Sequence, residues 1–417
     1  MKKLPRFTIG TGDRFGHQGT AQLTAIRDAF DQGIPVYPVW NKSNREHTLV
    51  GTVPQSLRDE ADQAVANLGW ARPYFVDADH IGLQTVDAFL PYCDFFTIDI
   101  ADFSGHRAPE EKIREFVARH ENLIGSHRLP NLDFPVVIER GDMEKTAAKF
   151  LLAIAEAGRI HRHIDSAKPD GNFAIEVSVD ETDLPQSPAE LLGILAMLAD
   201  EKIPTQTIAP KFTGSFNKGV DYVGDLLAFE HEFDADLAIV AHAVQIFGLP
   251  ETLKLSVHSG SDKFSLYPVI RRLVQKHSAG LHLKTAGTTW LEEVAGLAES
   301  GGEGLAIAKE IYTTALPKAV ELIKPYAPVV DIDTVTLPTA AEVAGWTSKD
   351  FVERLEHNQS SPLYNPQFRQ FLHVSFRVAA DMGSLFTDAL KANADAISRR
   401  VRSNLLHKHI LAVFPPE

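Results

Sequence analysis

A TIM-type (β/α)8 barrel is the α/β fold class the sequence predicts, on three observations. Short apolar or alternating runs bounded by Gly, Pro, Asp or Ser alternate with longer stretches of helical periodicity, the signature of parallel α/β architecture. Eight such runs in 417 residues suit a closed barrel better than an open doubly wound sheet. The phosphate-binding fingerprints of open sheets are missing, since GTGDRFG after the first run lacks GxGxxG spacing and no GxxxxGK[ST] loop occurs.

The elements follow in order. The strand at 7–12 (FTIGTG) stops at the Gly-Asp of GTGDR, and TAQLTAIRDAFDQ at 20–32 repeats apolar residues at helical spacing. IPVYPV at 34–39 opens the second strand after Gly33, and 56–68 is helical again. PYFVDAD (73–79) and FFTIDI (95–100) each run from apolar residues into carboxylates. Residues 103–170 lengthen the next connection; they are rich in charge and His, are punctuated by Pro130 and Pro135, and carry a helix at 145–157. FAIEVSV (173–179) and TQTIAPK (205–211) flank a helix at 187–200. LKLSVH (253–258) and GLHLKT (280–285) follow helices at 222–247 and 262–277, and a last barrel helix spans 291–325. FLHVSF at 371–376 alternates as well and competes as a ninth strand. Residues 326–417 begin Pro-rich and β-branched and end in a basic amphipathic helix at 384–410. The chain reads as one catalytic domain over 1–417, with barrel strands mainly within 7–290, an insertion at about 103–170 and a mostly helical carboxyl-terminal segment at about 326–417.

Composition narrows the function. The 55 acidic against 41 basic side chains leave a net charge of −14, which opposes nucleic-acid binding. Cys93 stands alone, so no internal disulfide and no thiolate zinc site can form, and a reducing compartment is expected. MKKLPRFTIG lacks the apolar run of a secretion signal, and no stretch is long and apolar enough to span a membrane. A cytoplasmic enzyme with a small-molecule substrate, with or without homo-oligomer formation, is the expectation.

Barrel enzymes carry their chemistry at the carboxyl ends of the strands. Here the first strand runs into Asp13, Arg14 and His17, the third into Asp77, Asp79 and His80, and the fourth into Asp99 and Asp102. Period-two alternation turns Glu176 inward on 173–177, Lys254, Ser256 and His258 inward on 253–258, and His282 and Lys284 inward on 281–284, while Lys211 ends 205–211. A buried carboxylate such as Glu176 must be paired, protonated or bound to a cation. His80, His258 and His282 read equally well as core histidines or as metal ligands. Asp102 and Asp262 read as helix N-caps, Arg14 and Lys263 as either solvated or functional, and HRH at 161–163 as surface.

At the same residues the chain resembles the tagaturonate epimerase family of bacterial hexuronate catabolism. The resemblance is carried by GTGDRFG, DADH, FFTIDIADF, FAIEVSVDET, KFTGSFNKGVDYVGDL, LSVHSGSDKFSLYP and HLKTAGTTWLE, in that order over about residues 7–293, and more weakly by RQFLHVSF at 369–376. It implies a metal-dependent interconversion of D-tagaturonate and D-fructuronate. Residue by residue, it implies Asp79 and Glu176 as opposed acid/base carboxylates and His80, His258 and His282 as ligands of a divalent cation. Arg14, Lys211, Asn217, Lys263 and Lys284 then hold hydroxyls and the substrate carboxylate. Zinc, nickel, cobalt, manganese and iron are all compatible with histidine ligands.

The two ketouronates differ at the carbon β to the ketone, whose C–H bond the carbonyl does not acidify, so simple enolisation cannot invert it. Retro-aldol cleavage and re-addition can, and direct deprotonation and reprotonation is the rival. A 4-epimerase of neutral ketohexoses and a metal-dependent aldolase would use nearly the same residues.

Overall fold

The computed structural model describes residues 2–103, 106–285 and 288–416. The Asp102 side chain, read above as a cap, and Ala286 and Gly287 of HLKTAG lie outside the described residues. The strands in chain order are β1 (Phe7–Gly12), β2 (Val36–Ser43), β3 (Phe75–Ile81), β4 (Phe95–Asp99), β5 (Gly125–His127), β6 (Val136–Ile138), β7 (Ala174–Ser178), β8 (Thr205–Ala209), β9 (Lys254–His258) and β10 (Leu281–Lys284). Eight of them close a parallel barrel in the order β1-β10-β9-β8-β7-β4-β3-β2, and β5 with β6 forms a separate antiparallel ribbon in the lengthened connection.

The barrel helices are α1 (Gly19–Asp31), α2 (Asn44–Val50), α3 (Pro54–Leu68), α4 (Glu110–Arg119), α5 (Arg140–Ala167), α6 (Pro188–Asp200), α7 (Leu226–Phe247), α8 (Tyr267–Lys276) and α9 (Thr288–Ser300). Local chemistry sets several boundaries. Ser187 caps α6 with a reciprocal Glu190 bond and Pro188 at the first turn, while Asp225 accepts from two N–H groups at the start of α7. Outward positions such as Ile9, Val76, Ile98, Ile175, Leu255 and Leu283 pack under these helices in the main core.

Inside the barrel the strands change character along their length. Val39, Phe75, Phe95 and Ala174 join Leu4 in a small apolar cluster at the amino-terminal end. Two residues further along their strands, Phe75 gives way to Asp77, Phe95 to Thr97 and Ala174 to Glu176, all fully buried. An apolar plug thus supports a polar floor.

Beyond the barrel lie α10 (Gly302–Ala315), α11 (Ala319–Ile323), α12 (Ala340–Gly345), α13 (Ser348–Leu355), α14 (Pro366–Val374), α15 (Phe376–Asp381), α16 (Ser384–Ala392) and α17 (Ala394–Ser403). Their apolar faces, with Trp290 and Leu291 of α9, make a second core around Tyr312, Phe351, Phe368 and Phe371.

Three expectations change. The proposed ninth strand at 371–376 is the end of α14 and the start of α15; Phe368 to Val374 are all buried, so no exposed face disciplined the pattern. The single helix at 291–325 is broken at Gly301 and Gly302, both at positive φ (+71° and +49°), where glycine is favoured. The helix at 384–410 is divided into α16, α17 and a π-helical stretch, Asn404–Ile410.

Candidate active site

Asp79 and His80 are neighbours in sequence, and on a regular strand their side chains would face opposite sides. The pairing register between β3 and β4 shifts between Ala78 and Ile81, and His80 adopts φ +51°, a conformation that is unfavourable for a residue with a Cβ. This bulge lets both side chains serve the barrel mouth. Asp79 Oδ1 lies 2.8 Å from Lys284 Nζ and 3.9 Å from His80 Nε2, and His80 Nδ1 lies 3.2 Å from Asp99 Oδ2.

Lys284 is the hub of the polar floor. Its ammonium is 2.9 Å from Asp77, 2.8 Å from Asp79 and 2.9 Å from Glu176, and it donates to Thr97 Oγ1 at 2.6 Å. One cation among three buried carboxylates leaves an excess of negative charge. Burial, opposed by Lys284 and reinforced by the other two carboxylates, pushes Asp77 up to about 7. Burial acts the same way on Asp79, but Lys284, His80 and His258 outweigh it and bring Asp79 down to about 2. Glu176 is likewise held well below its ordinary range by Lys284 and His258 against burial. Two carboxylates are therefore ionised side by side. Glu176 Oε2 is buried and has no hydrogen-bond partner among the described residues.

Across the mouth, His258 contacts Glu176 Oε1 through Nε2 at 2.8 Å and Asp180 Oδ2 through Nδ1 at 3.0 Å. Its ring centroid is 5.4 Å from that of His80. Burial lowers the His258 imidazolium, but Asp180 and Glu176 raise it further, to about 9. The same contest, with Asp79, Asp99 and Asp180 as the raising groups, keeps His80 protonated well above its ordinary range. The site therefore gathers protons onto two imidazoles where a cation could replace them. His80, Asp180 and His258 each offer a ligand atom within 4.8 Å of the others, as do His80, Asp99 and Glu181. Imidazole nitrogen with carboxylate oxygen is a donor set suited to a divalent transition metal, so the residues present fit such an ion.

The structure brings together Asp79, His80, Glu176, His258 and Lys284. Other expectations are corrected. His282 lies two residues deeper than Lys284 on β10, fully buried, with Nδ1 2.8 Å from Thr8 Oγ1, and it is absent from both ligand groups. Burial leaves it neutral, down to about 3, beside the Phe95 ring. Lys263 Nζ is surrounded by acceptors of its own chain, the carbonyls of Asn217 (3.0 Å) and Val220 (2.9 Å) and Ser261 Oγ (3.1 Å), so it shapes a loop and offers nothing to a ligand. Lys211 Nζ donates to the carbonyls of Thr182 and Asp183, tying the loop after β7 to the loop after β8. Lys284 faces carboxylates of the floor and has no open side for a substrate anion. Arg14 lies at the mouth, stacked 3.9 Å over the Phe376 ring and bonded to Glu46 Oε1 and the His373 carbonyl. Asn217 is half-buried on the loop after β8. Asp262 caps no helix; α8 starts at Tyr267, and the carboxylate pairs with Arg369 Nη2 at 2.7 Å and His357 Nδ1 at 3.1 Å.

Asp180, Glu181 and Thr97 are not among the expected site residues, and Asp77 is expected at the end of the third strand without a role. Asp180 was legible, since alternation from Glu176 through Ser178 points it inward. The roles of Asp77 and Thr97 depend on contacts across the barrel that no single strand reveals.

The family model described as tagaturonate epimerase matches residues 2–411. A tagaturonate/fructuronate epimerase of Thermotoga maritima is 29% identical over 397 residues, covering 92% of this chain and 74% of that protein. Two crystal structures of a fructuronate-tagaturonate epimerase from Cohnella laeviribosi, one complexed with glycerol and one native, superpose with TM-scores of 0.81 and 0.79 at 24% and 23% identity. Each covers 99% of this chain and 82% of the other, a likeness that speaks to the fold. With the family model spanning nearly the whole chain, including every residue of the mouth described above, the chain belongs to the tagaturonate epimerase family of isomerases.

Proposed function

We propose that the chain interconverts D-tagaturonate and D-fructuronate by inverting the carbon β to the ketone, with Asp79 and Glu176 as its two acid/base groups. The observation that carries this reading is the pairing of two ionised carboxylates, each beside its own histidine, held across one ammonium: Asp79 with His80, Glu176 with His258, and Lys284 between them. An epimerase must meet a hydroxyl presented from either face, so it needs two equivalent bases.

When bound at His80, Asp180 and His258, a divalent cation supplies a Lewis acid toward the ketone oxygen and its neighbouring hydroxyl. The chain's own residues then act as follows. One carboxylate accepts the proton of the β-hydroxyl. The bond between the α and β carbons breaks, its electron pair passes toward the ketone, and the β carbon becomes an aldehyde. After the aldehyde turns, the same bond re-forms on its opposite face, and the second carboxylate, ionised at rest, first receives through Lys284 the proton that the first one took and then gives it to the new alkoxide. Lys284, hydrogen-bonded to Asp79 and ion-paired with Glu176 at 2.9 Å, lies between the two groups and can pass a proton from one to the other. No net oxidation occurs and no co-reactant is consumed.

The test is an assay of both ketouronates, fructose and tagatose on metal-reconstituted protein, read by product stereochemistry in deuterated water. Interconversion of the ketouronates with the inverted carbon unlabelled is expected. Deuterium at that carbon would favour direct proton transfer, a free three-carbon product would favour an aldolase, and preference for the neutral ketoses would overturn the substrate assignment.

A further inference from the structure

The loop following β8 folds back over the mouth toward the carboxyl-terminal helices. Its Gly219 N–H donates to Ser261 Oγ at 2.8 Å, and the Lys218 N–H donates to the Val329 carbonyl at 2.8 Å. These bonds fix the half-buried Lys218 side chain beside Gly260, two residues past His258. A Cβ on Gly260 would sit 3.9 Å from both Cγ and Nζ of Lys218. Among the described residues, no hydrogen bond or ion pair engages the Lys218 ammonium. Its nearest carboxylates do not satisfy it: Glu46 is bound by Arg14 and by the Ser43 N–H, and Glu181 faces the His80 side.

Two further groups complete this corner. The Arg14 guanidinium reaches the same space and donates to the His373 carbonyl at 3.1 Å. His373, on α14 and 1% exposed, has both ring nitrogens without partners. Burial, followed by the nearby Arg14, lowers the Lys218 ammonium from its ordinary range, and burial with Arg14 and Lys218 keeps His373 neutral. A half-buried ammonium with no ion-pair partner, beside a buried imidazole whose two nitrogens are unpartnered, is unfavourable unless an anion or another polar group meets them.

We propose that Lys218, with Arg14 and His373 beside it, binds the carboxylate of the substrate and sets the preference for sugar acids over neutral sugars. The identity of the anion rests on the epimerase reading above. In that substrate the carboxylate is two carbons from the inverted centre, so a cation flanking the His258 side of the mouth meets it while the ketone end faces His80, Asp180 and His258. Lys218 replaces Lys211, Lys263 and Lys284, whose ammonium groups are all engaged within the protein.

Calorimetric binding of D-galactonate, a six-carbon aldonate, and of galactitol, its uncharged counterpart, tests the inference on metal-loaded wild type, K218M and K218R. The aldonate-to-polyol affinity ratio should fall roughly 10- to 100-fold in K218M, the loss expected for a charged hydrogen bond, and recover in part in K218R. Both affinities are read on the same sample, so a partly folded variant does not distort the ratio. A ratio that falls less than tenfold in K218M, or a wild type that does not prefer the aldonate, overturns the inference. Turnover of the ketouronates by wild type is scored separately. If neither is converted while the Lys218-dependent aldonate preference stands, the epimerase reading fails and the anion site remains.

Discussion

At the scale of single residues, the proposed reaction places its heaviest demands on Asp79 and Glu176. D79N and E176Q should each lower kcat by about 10²- to 10⁴-fold in both directions of the reaction, as expected for loss of a positioned proton-transfer group. Steady-state kinetics on variants that retain the wild-type melting transition checks this, and a variant keeping more than a tenth of the activity would remove that residue from the acid/base pair. His258 is held protonated up to about 9 by Asp180 and Glu176, so a metal must displace its proton at any lower pH. Metal affinity should therefore rise as pH increases from 6 to 8, by up to about tenfold per unit for each displaced proton, and H258A should lose the metal altogether. Titration of metal-free protein across that range, with elemental analysis of H258A, decides the point. Flat affinity, or full occupancy in H258A, would return His258 to a purely structural role.

At the scale of elements, the bulge in β3 shows how far alternation can be trusted. Inward positions on β7, β9 and β10 followed from period two, whereas Asp79 and His80 could share the mouth only because the register shifts and His80 takes a left-handed backbone. Nothing in DADH itself announces that shift. The reading of FLHVSF as a strand failed for the opposite reason, because residues 368–374 of α14 are all buried and offer no exposed face. Helix α14 also supplies Arg369 to the buried Asp262 on the loop after β9. R369M should cost about 3–5 kcal/mol, since it strands a carboxylate in the interior. Urea unfolding measures that loss; a change below about 1 kcal/mol would show that His357 and His409 suffice. Arg369, after burial is overcome, helps keep Asp262 well below its ordinary range, so the stability this group contributes is complete above about pH 4 and lost as pH falls through the lowered value. In R369M that acid loss should begin at higher pH.

At the scale of the whole molecule, the eight barrel strands were legible because each is short, bounded by Gly, Pro or Asp, and apolar on its helix-facing side. The carboxyl-terminal layer was less so, since its role lies in contacts with distant residues. Arg400 bonds to Glu292 and Glu299, and Arg402 to Asp28, so the basic run that drew attention in the sequence is neutralised by α9 and α1. Ending the chain at residue 325 would strip Phe351, Phe368 and Phe371 from the second core and Arg369 from Asp262. Such a protein should lose its cooperative thermal transition as well as activity, and a sharp transition near the wild-type temperature would show the barrel to be self-sufficient. The apolar plug of Leu4, Val39, Phe75, Phe95 and Ala174 has a consequence of its own. It closes the barrel floor beneath β2, β3, β4 and β7, so hydrogens on the Lys284 ammonium, ringed by Thr97 and three carboxylates, should trade with bulk water mainly through the mouth. A bound sugar acid would stopper that opening, and the ammonium signal in a nitrogen-labelled sample should then sharpen and persist in the spectrum.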